Sequence, residues 1–328
     1  MRPAATTSDC MFRAITAIIQ SMEIFNNIKE INSTNKTIVA LGFFDGVHKG
    51  HRELISRCIS DAKSTGSKSA VFTFKENPKN VMAGKNIIKR LRTSDEKSKI
   101  LSDLNVDILF NLSFEDGFHE MSPDDFAKNL ISSNFNASCV YCGYNFRFGK
   151  NASGNTKTLF SLGEKYGFEV KVIEPIEYES LPVSSSRIRE LIIAGDIENA
   201  NNMLELNYKL SGLIIDGHKL GRSIGFPTIN IMPNDEMTIP AFGVYITYAT
   251  IEGVKYPSVT NIGIKPTVGG NTLLIESHII DFQKDVYGKL ADIEFLKMLR
   301  PEQKFENFDA LKDQISKDKE AAVTYFAE

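Results

Sequence analysis

The 328-residue chain carries a formal net charge of −3, and 42% of its residues are hydrophobic. This composition is ordinary for a globular protein, and the weak net charge gives no reason to expect a nucleic-acid or membrane partner. No apolar run approaches the length of a membrane span. The length suggests two domains, each large enough to bury a core of its own.

The four cysteines predict neither a disulfide framework nor a metal site. A chain of this length does not depend on a set of disulfides for its stability. Cys139 and Cys142 match a C-x-x-C motif, but they lie in a strand-like run, in which residues three apart point to opposite faces. We therefore expect these two thiols to be structural.

Residues 1–21 differ from the rest of the chain, because Ala, Thr and Ser dominate there and the apolar stretch is short. The segment is too short and wrongly flanked for a secretory signal, although a transit peptide is an alternative. We predict a disordered N-terminal extension before Met22.

The stretch from Thr37 to Thr65 predicts a strand, a glycine-containing turn and a helix. Thr37–Leu41 is an apolar run typical of a buried strand, and an apolar stripe with helical spacing follows the turn. A helix N-terminus after such a turn presents backbone N–H groups to an anion, which favours phosphate. Its two histidines are three residues apart, so we expect both imidazoles on one side of the site. The turn reads Gly42-Phe43-Phe44-Asp45-Gly46-Val47-His48-Lys49-Gly50-His51.

Strand and helix patterns then alternate along the first half of the chain. Further strands are expected at 69–74, 106–112, 139–143 and 168–173, with helical patterns between them. This alternation predicts a Rossmann-like α/β domain with a parallel sheet, which we place at residues 22–203. In such domains ligands bind beyond the carboxyl ends of the strands, where the His48 turn falls.

The loop from Gly143 to Gly154 has the composition of a binding loop. Its glycines allow close approach of the backbone, its aromatic rings can stack on a flat ligand ring, and its cations can contact phosphate. A solvated hairpin is the alternative. The candidate binding residues are Asn145, Phe146, Arg147 and Phe148.

A run of three serines, Ser184, Ser185 and Ser186, precedes the next helical pattern. Serines in this position are by themselves an ordinary helix N-cap. Arg189 follows three residues later, and together these groups predict a second anion site.

Beyond Asn207 the pattern changes to short strands between Gly and Pro signals, expected at 208–215, 228–231, 243–251, 254–260, 273–280 and 291–295. This pattern predicts a small β-barrel domain at residues 204–328. An amphipathic helix with Phe308, Leu311 and Ile315 on one face closes the chain.

The second domain contains a glycine-rich basic loop that is neither a Walker A loop nor a GxGxxG fingerprint. It includes Gly217, Lys219, Gly221, Arg222 and Gly225, and it leads into Pro227-Thr228-Ile229-Asn230. On a strand, Thr228 and Asn230 point to the same face, where a hydroxyl and a carbonyl can join phosphate oxygens around Mg²⁺. Glu276 is a candidate general base for a hydroxyl nucleophile, and a solvated edge-strand glutamate is the alternative.

These motifs resemble two known signatures. His48-Lys49-Gly50-His51 resembles the His-x-Gly-His signature of the nucleotidyltransferase superfamily, and Val183 to Arg189 resembles its Ile-Ser-Ser-Thr-x-x-Arg motif. The longer His48 turn, the Asn145 loop, the Pro227–Asn230 segment and the Glu276-Ser277-His278 strand together resemble the bifunctional bacterial riboflavin kinase/FAD synthetase family. The family's Phe-x-Pro-His-Pro loop differs here, because Glu76 and Asn77 replace the central proline and histidine.

The resemblance implies two ATP-dependent reactions on one chain, with no tightly bound redox cofactor. The barrel would phosphorylate riboflavin to FMN with Mg-ATP, using Glu276 as base and Thr228 and Asn230 for metal and phosphates. The first domain would transfer AMP to FMN, giving FAD and pyrophosphate. It would act by positioning and by charge neutralisation from His48, His51, Ser185, Arg189 and Mg²⁺.

The remaining implied contacts concern the nucleotide and the flavin. Gly42, Phe43, Asp45 and Gly50, the three serines and the glycine-rich loop would bind nucleotide. The Asn145 loop and Arg300 would contact flavin. A cytoplasmic protein is expected, and no oligomeric state is predicted. Two alternatives remain, namely an enzyme that retains one activity and a flavin-binding regulator without turnover.

Overall fold

The computed structural model describes residues 22–31, 34–216, 225–267 and 270–327. It divides into two compact units, each assembled from separate stretches of the chain. The first unit contains the residues up to Phe44, Arg52–Lys85 and Ser94–Glu174. The second contains Asp45–His51, Asn86–Thr93 and Pro175 onward. The single boundary near residue 204 stays a prediction, and the predicted extension at residues 1–21 lies outside the described residues.

The described part of the first unit is built on a six-stranded sheet: β1 (Glu23–Phe25), β2 (Thr37–Leu41), β3 (Lys68–Phe74), β4 (Ile108–Leu112), β5 (Ala137–Gly143) and β6 (Glu169–Ile173). The strand order is β1-β4-β3-β2-β5-β6, and every neighbouring pair is parallel. The predicted parallel sheet is confirmed. The strand β1 was not predicted, because a segment this short cannot display a periodic pattern.

Helices follow or connect these strands, as the alternating pattern predicted. A π-helical segment, Phe126–Asn134, continues the short helix that begins at Pro123. Ser122 caps that helix by accepting a hydrogen bond of 3.0 Å from the backbone N–H of Asp125. The α-helices are Lys49–Thr65, Pro78–Ala83, Ser94–Asp103, Pro123–Asp125 and Thr156–Tyr166.

Aromatic rings and buried thiols fill the core of the first unit. The rings of Phe110 and Phe135 stack with centroids 4.0 Å apart. Cys58, Cys139 and Cys142 are buried and free, and burial raises the pKa of each thiol to about 12. Thiols held in the protonated form are poor nucleophiles and poor metal ligands, so burial fits the structural role predicted for Cys139 and Cys142.

The second unit contains a closed antiparallel barrel, which confirms the predicted β-barrel. The barrel strands are β9 (Tyr208–Ile215), β10 (Ile229–Ile231), β11 (Gly243–Ile251), β12 (Val254–Thr267), β13 (Gly270–Ile279) and β14 (Leu290–Pro301). Their order around the barrel is β10-β13-β12-β11-β14-β9. Two short strands precede them and pair with each other, β7 (Glu177–Tyr178) and β8 (Leu181–Pro182).

Two helices that precede the barrel in sequence share its hydrophobic core. They are Ser185–Ala194 and Ile197–Leu204. Ile188, Met203 and Leu91 are fully buried in one cluster with the barrel residues Tyr245 and Phe295. Burial of this apolar surface is what holds the two helices and the barrel together.

The closing helix, Phe308–Ala327, is confirmed, but its predicted packing face is wrong at Phe308. Phe308 is 62% exposed, whereas Ala322 is fully buried beside Ile246 and Leu296 on the barrel. The helix therefore packs through its C-terminal half. Among the residues that the structure describes, no helix has both the length and the apolarity that crossing a membrane requires.

Candidate active sites

The turn after β2 is tight and conformationally unusual. Phe44 and Val47 adopt left-handed backbone conformations, with φ of 51° and 44°, and Gly46 has φ of 81°. A side chain at Gly46 would also bring its Cβ within 2.9 Å of Leu91. Such backbone conformations persist only where the surroundings enforce them, and they are common at ligand sites. The turn leads directly into the helix that begins at Lys49.

The two histidines of the turn lie together, as predicted. Their rings stack with centroids 3.5 Å apart and planes 18° from parallel. His48 is 5% exposed, and its Nδ1 is buried without a hydrogen-bond partner among the described residues. A buried polar atom of this kind is usually satisfied by an ordered water or by a bound ligand.

Burial, with a smaller contribution from the positive charge of Arg189, lowers the pKa of His48 to about 4. The imidazole is therefore neutral at pH 7 in the protein without substrate. A neutral imidazole can donate one hydrogen bond and accept another, and the predicted charge neutralisation by His48 at the phosphates stays a prediction.

Arg189 and Asp45 form an ion pair that ties the serine-capped helix to the histidine turn. Arg189 Nε donates to the carbonyl of Lys89 at 2.6 Å, and Asp45 Oδ1 accepts from the backbone N–H of Leu91 at 3.0 Å. Ser185 Oγ donates to the carbonyl of Asp45 at 3.0 Å. The predicted nucleotide ligands Asp45 and Ser185 thus hold the site together, and a nucleotide contact by either stays a prediction.

The serine run behaves at its first position as an ordinary helix cap. Ser184 accepts a hydrogen bond of 3.3 Å from the backbone N–H of Arg187. Ser186 is exposed at the first turn of the helix. A phosphate contact by either hydroxyl stays a prediction.

Lys97 is a buried residue that the sequence analysis missed. It is 5% exposed, and its Nζ donates to the carbonyl of Phe43 at 3.3 Å, to Thr73 Oγ1 at 2.9 Å and to the carbonyl of Phe74 at 3.0 Å. These bonds fix Phe43 against the carboxyl end of β3. A single lysine in a helical pattern carries no sequence signal for this role.

Two substitutions in the loop after β3 have structural contacts of their own. Glu76 accepts a hydrogen bond of 3.0 Å from the backbone N–H of Phe114, which ties the ends of β3 and β4 together. Asn77 caps the helix Pro78–Ala83 by accepting from the N–H of Lys79 at 3.0 Å. These contacts account for both residues.

The Asn145 loop belongs to the first unit and divides into core and surface residues. Phe148 is 6% exposed, and its ring lies 5.2 Å from that of Phe126 in the core. Phe146 is half-buried with its ring 5.7 Å from Phe148, whereas Asn145 and Arg147 are exposed. The core position explains Phe148 without a ligand. The predicted flavin contact thus rests on the other three residues.

A row of polar residues crosses three strands of the barrel. Asn230 on β10 lies directly opposite Glu276 on β13, and Glu276 lies directly opposite Asn261 on β12. Directly opposed residues share a face, with Cβ atoms about 4.5–5.5 Å apart. Asn230 is 5% exposed and Thr228 is half-buried just before β10. Asn261 was not predicted as a site residue, because only the strand pairing shows that it neighbours Glu276.

A cavity of about 560 Å³ opens at the segment that enters β10, with Thr228, Ser277, Phe282 and Tyr287 among its lining residues. Its lining does not include Asn230, Glu276 or Asn261, and strand alternation directs Ser277 to the face opposite Glu276. Its size is that of a typical small-molecule site, with apolar and polar groups mixed. Gly217, Lys219, Gly221 and Arg222 lie outside the described residues, whereas Gly225 has φ of 88° and thus needs to be glycine.

Arg300 lies at the end of β14 in a two-pronged ion pair with Asp318 of the closing helix. Its Nε lies 3.1 Å from both carboxylate oxygens and its Nη2 lies 2.8 Å from one of them. The side chains are 17% and 6% exposed. The guanidinium already has a structural partner, and its predicted flavin contact stays a prediction.

These features define a class: an α/β nucleotidyltransferase and a phosphoryl-transferring barrel in one chain. A family model described as FAD synthetase matches residues 30–187, and one described as riboflavin kinase matches residues 204–326.

Similar proteins match both halves of the chain. The chain is 36% identical over 89% of its length to the bifunctional riboflavin kinase/FMN adenylyltransferase of Bacillus subtilis (strain 168), of which it covers 93%. It is 32% identical over 91% of its length to the protein so named from Haemophilus influenzae, of which it covers 98%. A crystal structure of a protein described as a macrolide-efflux protein from Streptococcus pneumoniae has a TM-score of 0.83 at 29% identity, covering 92% of this chain and 98% of that one. The chain belongs to the bifunctional riboflavin kinase/FMN adenylyltransferase family.

Proposed function

We propose that this chain makes FAD from riboflavin in two ATP-dependent reactions. The first converts riboflavin and ATP to FMN and ADP, and the second converts FMN and ATP to FAD and pyrophosphate. Family membership supports both activities, since the matched regions cover both halves of the chain. We place both reactions in the cytoplasm, because both consume ATP.

The observation that carries the kinase proposal is the pairing of Asn230 with Glu276 across β10 and β13. Glu276 accepts the proton of the riboflavin 5′-hydroxyl. The hydroxyl oxygen bonds to the γ-phosphorus of ATP while the bond between that phosphorus and the β-phosphate oxygen breaks, and ADP leaves. Asn230 and Thr228 orient the phosphates beside that base. Asn261, on the other side of Glu276, orients its carboxylate.

The adenylyl transfer needs no general base, because the FMN phosphate is already an anion. A phosphate oxygen of FMN bonds to the α-phosphorus of ATP, and pyrophosphate leaves. Arg189 stabilises the charge on the phosphates, and its position is set by Asp45 and by the carbonyl of Lys89. The buried Nδ1 of His48 and the helix N-terminus at Lys49 provide further sites for phosphate oxygens.

The donor atoms at and beside the row formed by Asn230, Glu276 and Asn261, here called the kinase row, fit Mg²⁺. A hydroxyl at Thr228, an amide oxygen at Asn230 and a carboxylate at Glu276 are hard oxygen ligands of the kind this ion prefers. Thr228 and Asn230 would hold the ion together with ATP phosphates, where its charge offsets that of the phosphates. No group of three or more His, Cys, Asp or Glu side chains within the described ranges is arranged to bind a metal.

Two single substitutions test this division of labour. Glu276→Gln is expected to lower FMN formation by about 10²- to 10⁴-fold, because it removes the general base without changing shape. His51→Ala is expected to lower FAD formation from FMN by about 10²- to 10³-fold, because it removes a donor at the transferring phosphate. Flavin products are separated and quantified by HPLC after incubation with ATP and Mg²⁺.

His119→Ala is the control for His51→Ala, since His119 is exposed and lies outside both sites. It is expected to leave both rates unchanged. Parallel loss of both activities in either test variant would contradict two separate sites. Wild-type protein that makes only FMN or only FAD would favour the single-activity alternative, and tight flavin binding without turnover would favour the regulator.

A further inference from the structure

His278 is a buried histidine for which the proposed reaction has no role. It lies on β13 two residues after Glu276 and is 9% exposed. Its Nδ1 lies 2.9 Å from the carbonyl oxygen of Pro227, and its ring meets the edge of Phe226 at a centroid distance of 5.4 Å. Both contacts fall on the segment that enters β10 immediately before Thr228 and Asn230.

The acceptor fixes the tautomer of this ring. A carbonyl oxygen only accepts hydrogen bonds, so Nδ1 of His278 carries the proton and donates to Pro227. Burial lowers the pKa of His278, so the ring is neutral at pH 7 and Nε2 carries the lone pair. Nε2 is buried and makes no hydrogen bond to any residue that the structure describes. The ring therefore acts on its surroundings through Nδ1.

Thr228 needs an anchor that the barrel itself does not provide. The ladder between β10 and β13 starts at Ile229, so Asn230 is fixed by strand pairing and Thr228 is not. Pro227 has no N–H and makes no ladder bond from its nitrogen. The Pro227 carbonyl and the nitrogen of Thr228 belong to one planar peptide. A hydrogen bond to that carbonyl therefore fixes the orientation of the peptide plane and of the bond from the nitrogen to Cα of Thr228.

We propose that His278 is a positioning residue for phosphoryl transfer, which holds the Pro227–Thr228 peptide so that Thr228 faces the phosphates beside Asn230 and Glu276. This inference rests on the kinase activity proposed above and assigns a role to a residue outside the proposed base and metal ligands. The hydrogen bond from Nδ1, rather than the bulk of the ring, carries the effect.

Two isosteric variants separate the hydrogen bond from the packing. In His278→Asn the amide nitrogen takes the place of Nδ1, whereas in His278→Gln it takes the place of Nε2. The Asn variant is expected to keep FMN formation within about threefold of wild type, the range of one retained hydrogen bond. The Gln variant is expected to lose about 10- to 100-fold in kcat/KM, because misplacing a phosphate-binding group by about 1 Å has an effect of this size.

The two kinetic constants distinguish positioning from general destabilisation. The Gln variant is expected to raise KM for ATP more than KM for riboflavin, since Thr228 is directed at the phosphates. FAD formation from supplied FMN, measured on the same samples, is expected to be unchanged. A purely structural role would lower both activities together and would not separate the two KM values.

Several results would overturn the proposal. Equal activity of the Asn and Gln variants, whether high or low, would show that the Nδ1 bond is not what matters. A folded Asn variant with less than a tenth of wild-type kinase activity overturns it alone, even if the Gln variant does not fold. Wild-type protein, assayed in parallel, tests the kinase proposal separately: if it forms no FMN from riboflavin and ATP, the proposed function fails rather than the role of His278.

Discussion

The chemistry of His48 is decided by burial rather than by residue type. In water an imidazole is partly charged near neutral pH, but the desolvated ring of His48 has its pKa lowered to about 4. Its neutral form can donate one hydrogen bond and accept another. This fits the proposed adenylyl transfer, in which positioning at the phosphates matters more than proton transfer.

The depressed pKa predicts a loss of stability in acid. Between about pH 6.5 and 4 the unfolded chain binds a proton at this position and the folded chain does not, so the free energy of unfolding falls as pH falls through that window. The loss reaches about 3 kcal/mol near pH 4 and is absent above pH 7. His48→Asn is expected to flatten the dependence of melting temperature on pH, followed by circular dichroism between pH 7.5 and 4.5.

His119→Asn is the matched control, because His119 is exposed. It is expected to leave the wild-type pH dependence intact. Burial lowers the pKa of His278 as it does that of His48, so both residues make the melting temperature fall with pH. His48→Asn is therefore expected to remove only part of that pH dependence. An unchanged slope in His48→Asn would contradict the buried, neutral state of this ring.

Sequence reasoning at the residue scale succeeded where the relevant spacing is local. The pairing of His48 with His51 follows from their separation along the chain. The common face of Thr228 and Asn230 stays a prediction, because Thr228 precedes β10 and strand alternation does not apply to it. The partners of Asp45 could not be found in this way. Arg189 lies far from it in sequence, and an acidic residue in such a turn has the same local signature whether it binds nucleotide or an arginine.

At the scale of elements, the docking of the closing helix on the barrel depends on an ion pair. Arg300 at the end of β14 and Asp318 in the helix bond through two nitrogens and two oxygens, and both are largely buried. Removing one partner of such a pair strands the other charge away from water, which is far more costly than replacing both with apolar groups.

Asp318→Asn is expected to lower the free energy of unfolding of the barrel unit by about 3 kcal/mol, because Arg300 loses its counter-charge. Replacing both residues by Met and Leu is expected to recover most of that loss. Asp313→Asn, an exposed change in the same helix, is the control and is expected to have no effect. Urea denaturation gives the comparison, and equal stability of the Asp318 and Asp313 variants would contradict a stabilising role for the pair.

Periodicity predicted where most elements lie but not how they pack. The strands β9 and β11 match their expected ranges, whereas β12 extends beyond the expected end to Thr267. Gly263 and Pro266 suggest a turn there, but barrel closure pairs those positions with β13. The apolar stripe of the closing helix predicted Phe308 as a contact, because a stripe shows that a face exists without showing which half of the helix meets the barrel.

At the scale of the whole molecule, the kinase row is made by β10, β12 and β13 of a single barrel. FMN formed there has to leave this row before its phosphate can attack a second ATP. An equal mixture of the His51→Ala and Glu276→Gln proteins is therefore expected to convert riboflavin to FAD after a lag, and much faster than either protein does alone. HPLC time courses at several protein concentrations measure the lag.

Glu276→Gln alone must make FAD from added FMN, which is the control for this mixture. A mixture that accumulates FMN without forming FAD, although that control succeeds, would contradict exchange of FMN through solution. It would point to transfer of FMN within one molecule.

The second unit includes residues that precede position 204, and this limits where the chain can be divided. Leu91, Ile188 and Met203 all precede residue 204, and all are sealed in the same apolar cluster as the barrel. A gene split at that point would therefore expose apolar surface on both products. Two separate proteins cut at this point would each need polar residues in place of that apolar surface to avoid associating.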